Sequence, residues 1–318
     1  MKKLLPIINT VSLTLLFLNT LVSADCIRSF GNEQDLLGIN EEIERRWEKV
    51  KEKYKTFAPY QVKSAEEIEE EFQRLNNFRK HLWYGDTLEP LDNEDYRIAP
   101  YLLNSVCFVW KPHLLSFDYN CIGYYNASAI LINDRKFIAF EEPRRETLDK
   151  FFQLLSDQNA SILVRLKPEG EYVERGSLSY WENRINEGTW HSSIDLKLDD
   201  NEEFRNSIPY FFTNDWVDNQ DIAVANLYIL VQNVRSAYAD LKEKGPIACH
   251  CSAGVGRTGT FIAALILAEL LDSLDLSEIS IEELVLKLSI QRHSMVSNLK
   301  QYSLLYEFVE FYLEEQSD

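Results

Sequence analysis

The order of segments along the chain predicts an α/β fold, a single domain in which a sheet is flanked by helices and preceded by a helical extension. Three observations carry this reading. Short runs rich in β-branched and aromatic residues cluster between about 105 and 215. Beyond 221, apolar residues recur at helical spacing, broken by one short apolar run at 246–250. No fixed-period repeat, low-complexity tract or long linker divides the 318 residues.

The elements follow in order. Residues 40–56 and 64–82 place apolar residues at helical spacing among dense charges, and Ser64 with Glu67 can form a capping box at the start of the second helix. SVCFVW, YYNASAILI, KFIAF, ASILVRL, SSIDLKL and IPYFFT read as strands. One helix, ETLDKFFQLLSDQ, interrupts them. DIAVANLYILVQNVRSAYADLKEKG reads as a helix ended by Gly245 and Pro246, followed by the buried strand PIACH and three further helices, starting near Thr258, Ser280 and Gln301.

Lys2 and Lys3, an apolar stretch and the small residues Val22, Ser23 and Ala24 predict a secretion signal over 1–24, removed before Asp25. An uncleaved anchor is the alternative, but Asn9, Thr10, Ser12, Thr14, Asn19 and Thr20 make the stretch polar for a span. The expected organisation is therefore a signal at 1–24, a helical extension at 25–60 and a domain at 61–318. The two-lysine start is of a bacterial kind. Five cysteines, Cys26, Cys107, Cys121, Cys249 and Cys251, leave at least one thiol free or paired between chains; a bridge between Cys107 and Cys121 is compatible with their spacing. The formal charge of −18 argues against a broad nucleic-acid or anionic-lipid surface, so an anionic substrate needs a local positive site.

CHCSAGVGRTG at 249–259 supplies such a site. A strand, a loop of small residues and a helix start form an anion cradle, because Gly254 and Gly256 allow the N–H groups of Ser252, Ala253, Val255 and their neighbours to converge. Cys251 at its base is favoured as a thiolate nucleophile. Arg257 offers a planar fork to two phosphoryl oxygens, Thr258 can donate to the sulfur, and His250 points away and holds the loop. Zinc fits poorly, since structural sites use wider cysteine spacing and no second ligand pair is near. The glycine spacing does not suit a dinucleotide loop either. The residues point to phosphoryl transfer through cysteine, with neither metal nor organic cofactor.

HCSAGVGRTG resembles the signature of the cysteine-dependent protein tyrosine phosphatase family, and the likeness extends over most of 65–312. EEEFQRL, YYNAS, KFIAFEEPRRETLDKFF, QNASILVRL, VERG and YW resemble family segments in family order. The resemblance implies a twisted mixed β-sheet flanked by helices and hydrolysis of phosphotyrosine in proteins. It assigns the general acid to the stretch NDWVDNQDIA, with Trp216 as hinge anchor and Asp218, 33 residues before Cys251, as the acid. Asp215 and Asp221 are alternatives. It also pairs Glu174 of VERG with Arg257.

Three positions depart from the family. Val217 stands where the acid loop carries proline, which removes a fixed φ and adds an N–H. Ser297 stands where the family has the glutamine that helps place the hydrolytic water, while the second glutamine is kept as Gln301; Ser297 or Asn298 is left to hold water. Tyr96 in DNEDYRIAPY fills the family's substrate-stacking tyrosine only with a one-residue deletion, and strict alignment puts Asp95 there. The expected partner is a phosphotyrosine protein, from a host cell if the chain is exported. An inositol-phosphate phosphatase and a phosphotyrosine-binding module with little turnover are the alternatives.

Overall fold

The computed structural model describes residues 33–54, 57–84, 126–171, 179–181, 185–186, 192–195 and 207–317. The signal at 1–24, the strand expected at 105–110, Cys26, Asp95, Tyr96, Cys107, Cys121 and Glu174 lie outside them.

Two helices come first, α1 (Glu33–Lys53) and α2 (Ala65–Tyr84). The capping box forms at α2, with Ser64 N donating to Glu67 Oε2 at 2.8 Å and Glu67 N donating to Ser64 Oγ at 3.3 Å. Next come β1 (Ala127–Ile132), β2 (Arg135–Phe140), α3 (Leu148–Asp157), β3 (Ile162–Leu166), β4 (Ile185–Asn186), β5 (Ser192–Asp195) and β6 (Ser207–Thr213). Then follow α4 (Val224–Asp240), β7 (Ile247–His250), α5 (Gly256–Ser273), α6 (Ile281–Ser289) and α7 (Leu299–Glu315).

The seven strands form one mixed sheet in the order β1-β2-β7-β3-β6-β5-β4. The pairs β2/β7, β7/β3 and β3/β6 are parallel, and the outer pairs β1/β2, β6/β5 and β5/β4 are antiparallel. All four central strands therefore end on one edge, where the chain leaving each can reach the others.

Alternation across the pleat divides the core in two. Ile247 and Cys249 of β7, with Ile162, Val164 and Leu166 of β3, face a large core built with α1, α2 and α4 to α7. Ala248 and Leu163 face a smaller one with Phe151, Phe152, Leu154 and Leu155 of α3. Every residue of β3 and β7 is buried, the polar Arg165 and His250 included, which explains why the rest of both strands is apolar.

The helix expected to run to Gly245 ends at Asp240. Leu241 turns to extended backbone and packs on the core, while the Tyr238 hydroxyl donates to the Gly245 carbonyl at 3.0 Å. Gly245 is needed for a close approach instead of a helix cap, since a Cβ there would lie 2.0 Å from the Asn159 carbonyl oxygen.

The extension is joined to the domain's core. Trp47 and Val50 of α1 are buried in the large cluster, Trp47 stacks on Phe57 at 5.4 Å, and Arg46 Nη1 donates to the Ile290 carbonyl at 2.5 Å. Buried Glu71 of α2 accepts from Lys63 and from the Tyr302 and Tyr306 hydroxyls of α7. Truncating a buried tryptophan costs about 3 kcal/mol or more, so Trp47→Ala is expected to lower the urea midpoint of the whole domain in one transition.

Candidate active site

The loop between β7 and α5, residues 251–255, lies at the shared edge of the parallel strands. Each of its five carbonyls is bound away from its centre. Cys251 O accepts from His250 Nδ1 at 2.9 Å, Ser252 O from Glu142 N at 3.0 Å, and Ala253 O from Arg292 Nη2 at 2.9 Å. Gly254 O accepts from Arg292 Nε at 2.8 Å, and Val255 O from Gly259 N at 2.8 Å. With the carbonyls taken outward, the amide N–H groups are left to converge inward.

Gly254 makes this turn possible. Its φ is +68°, and a Cβ there would sit 2.0 Å from the Phe140 carbonyl oxygen. Arg292, fully buried, also donates to Ser128 Oγ at 2.9 Å and Asn126 Oδ1 at 3.1 Å, which anchors the loop to the start of β1. His250 is fully buried and pushed down to about 3 by that burial, so the ring is neutral. A carbonyl partner fixes the proton on Nδ1, and Nε2 then accepts from the Tyr180 hydroxyl at 2.6 Å.

Cys251 is 4% exposed. Burial opposes its thiolate, yet the Arg257 charge, the Thr258 hydroxyl and the N–H groups of Thr258 and Val255 outweigh it, and the pKa is lowered. The Thr258 hydroxyl is buried without a partner at full hydrogen-bond geometry, which leaves its proton for the sulfur. Cys249, two residues earlier, is the reverse case: burial and the neighbouring Cys251 push its thiol well up. Both are free thiols.

Arg257 is 1% exposed and held on several sides. Nη1 donates to Glu171 Oε1 at 3.1 Å and to the Trp216 carbonyl at 2.6 Å; Nη2 donates to Glu171 Oε2 at 2.8 Å and Ser252 Oγ at 2.9 Å. Its Nε is buried with no partner among the described residues. Asp218 Oδ1 lies 3.4 Å from Nη2, and the Asp218 N–H donates to Glu171 Oε1 at 2.7 Å. Trp216 is fully buried, and Val217 is 38% exposed. The rival acids face elsewhere: Asp215 Oδ2 accepts from Asn226 and Asp221 Oδ2 from Lys300.

Gln301 and Ser297 complete the floor. A Cβ on Gly256 would meet Ser297 Oγ at 2.5 Å and the Gln301 carboxamide at 2.8 and 2.9 Å, so both side chains press on the first residue of α5. Thus Cys251, Arg257, Asp218, Trp216, Ser297 and Gln301 come together.

Two groups at the site were not foreseen. Among the described residues Glu171 is the carboxylate that holds Arg257; the expected partner Glu174 lies outside them. The turn Pro168–Glu171, with Gly170 at φ +77°, folds Glu171 back over the sheet edge directly after β3. Lys167 Nζ supports that turn by donating to the Glu171 carbonyl at 2.7 Å and to buried Glu142 at 2.6 Å. A Pro-x-Gly turn closing a strand was the available signal. Arg292 carried none, because its partners are up to 166 residues away. Among the described residues, no group of three or more His, Cys, Asp or Glu is placed to hold a metal ion.

Removing the guanidinium removes the foremost force that favours the thiolate. Iodoacetamide alkylation of Cys251 in wild type is therefore expected to stay fast below the ordinary thiol pKa, and Arg257→Ala is expected to move its pH midpoint upward. Gly254→Ala, measured by aryl-phosphate turnover and urea unfolding, is expected to lose activity and stability together, since the new Cβ meets backbone.

A family model described as protein-tyrosine phosphatase matches residues 97–208 and 186–310. The chain is 29% identical over 208 residues to tyrosine-protein phosphatase 69D of Drosophila melanogaster, covering 58% of this chain and 14% of that protein. It is 28% identical over 208 residues to human tyrosine-protein phosphatase non-receptor type 7, covering 59% and 56%. It is 27% identical over 220 residues to tyrosine-protein phosphatase 2 of Schizosaccharomyces pombe, covering 60% and 30%. The matched regions span from about one seventh to just over half the length of these relatives. With a family model matched over most of its length and a mixed sheet that sets a Cys-x5-Arg loop at its carboxyl edge, this chain belongs to the protein-tyrosine phosphatase family.

Proposed function

We propose that the chain hydrolyses phosphotyrosine in proteins through a phospho-cysteine intermediate. One observation carries this: a buried thiol whose pKa is nevertheless lowered, in a loop with all its carbonyls turned out, beside an arginine with a buried, unpartnered Nε. A phosphoryl group supplies what is missing, oxygens for the inward N–H groups and for Arg257 Nε.

In the first step the Cys251 thiolate attacks phosphorus. The S–P bond forms as the P–O bond to the aryl group breaks, and Asp218 gives its proton to the departing phenolate oxygen. In the second, water attacks the same phosphorus, Asp218 takes the water proton, and the S–P bond breaks to return the thiolate and release phosphate. Arg257 and the loop N–H groups hold the equatorial oxygens in both steps. Glu171 links the parts, because one carboxylate binds the guanidinium and the N–H of Asp218.

The substrate side rests on the resemblance and the relatives' names. Tyr96 is the proposed stacking residue. The segment 1–24 is proposed as a secretion signal on its lysines, apolar stretch and Val22–Ser23–Ala24 end, with a host phosphotyrosine protein as target. Among the described residues no helix is long and apolar enough to cross a membrane. N-terminal sequencing of exported protein is expected to begin at Asp25.

Phosphate release from phosphotyrosine peptides and from inositol phosphates, assayed in parallel, tests the activity. Wild type is expected to favour the peptides and Cys251→Ser to release nothing from either. Preference for inositol phosphates, or binding of phosphopeptides without release, overturns the reading. The Val217 N–H and free φ loosen the acid loop, so Val217→Pro is expected to raise kcat at saturating substrate; an equal rate counts against that role.

A further inference from the structure

We infer that Asp221 and Lys300 are positioning residues for the general acid, an ion pair that holds the segment carrying Asp218 over the Cys251 loop throughout the reaction. This rests on the reading above, in which Asp218 is the acid. The segment is a short arch between two buried side chains, Trp216, fully buried, and Ile222, 3% exposed. Between them Val217, Asn219, Gln220 and Asp221 are exposed and Asp218 is half-buried. Gln220 N donates to the Val217 carbonyl at 3.1 Å and Asn219 takes φ +59°, so the arch turns tightly just after Asp218.

Among the described residues, ties from outside reach this arch at two places. At Asp218, the N–H donates to Glu171 Oε1 at 2.7 Å and Oδ1 lies 3.4 Å from Arg257 Nη2. At Asp221, Oδ2 lies 3.3 Å from Lys300 Nζ on α7. The reaction treats the two ties differently. A phosphoryl group takes up the Arg257 fork and the Asp218 carboxyl must turn to the ester oxygen, so the Asp218–Arg257 contact is given up when substrate binds. The Asp221–Lys300 pair touches neither group and persists.

The place of Lys300 supports this role. It is the second residue of α7, whose start is capped by Asn298 Oδ1 and whose first turn holds no acidic residue. The positive end of a helix disfavours a cation, so a lysine there does nothing for the helix. Its Nζ instead meets a carboxylate 79 residues away in sequence, and Asp221 brings that helix end the negative charge its own first turn lacks. Tyr302, Leu304 and Leu305 fix α7 in the large core, so the arch is tied to a rigid element. With Val217 lacking a proline's ring, the pair supplies from outside a restraint that the backbone does not have. Both partners are more than half exposed, so water and salt weaken the pair, and its worth is a bias of no more than about fivefold toward the placed acid.

The test uses leaving groups. Phenyl phosphate releases a basic phenolate that needs the proton, whereas 2,4-dinitrophenyl phosphate releases one that leaves without it, and kcat/KM reports the steps up to that release. Lys300→Ala is expected to lower kcat/KM for phenyl phosphate about threefold and to leave that for 2,4-dinitrophenyl phosphate unchanged. Asp221→Lys is expected to do the same, and the exchange of Asp221→Lys with Lys300→Asp to restore the phenyl phosphate rate. Added salt is expected to move the wild-type ratio of the two rates toward that of Lys300→Ala. Both substrates falling together in Lys300→Ala, as loss of a general attraction for phosphate or of folding gives, overturns the inference; so does no change in either, or an exchanged pair that stays slow. The proposed function stands in each of those cases. Asp218→Asn is the reference: if it spares phenyl phosphate, the acid assignment above falls and this inference with it.

Discussion

Five consecutive carbonyls held outward are the constraint on which this structure depends. A loop of small residues has no intrinsic reason to present its N–H groups to one point. It does so here because His250, Glu142, Arg292 and Gly259 each bind a carbonyl from outside. The partners come from four different places: the end of β7, the exit of β2, the segment after α6 and the first turn of α5. The cradle is thus a property of the whole sheet edge, and the parallel pairing of β2, β7 and β3 brings those places together.

Arg257 has a second task besides charge. Its contacts to Glu171, the Trp216 carbonyl and Asp218 tie the segment of Trp216–Asp218 to the loop of Cys251. A valine at 217 leaves that segment without a proline's fixed backbone, and the Asp218 N–H to Glu171 bond supplies part of the order that the ring would give. Electrostatics and loop position are carried by the same few atoms. A change at Glu171 acts on both.

The legible parts were those set by local pattern. The Ser64–Glu67 box, the largely apolar runs of β3 and β7, and the strand, small-residue loop and helix around Cys251 all follow from neighbours in sequence. Glu171 was not legible, because the turn at Gly170 is what brings its carboxylate to Arg257, and the spacing of charges along the chain does not show that turn. The end of α4 was placed too late for a similar reason: Leu241 gains more by packing on the core than by one further helical turn.

By itself, then, the sequence determined the class of chemistry: a cysteine, an arginine at fixed spacing and glycines between them suffice for a thiolate and an anion nest, since those demands are met within one loop. Only the tertiary structure decided what holds that loop. Arg292 and Glu171 do this through hydrogen bonds whose partners come from separate elements, with Ser128 and Arg292 164 residues apart. Hydrogen bonds require distance and angle, and those are fixed by packing, which no count of residues along a chain contains.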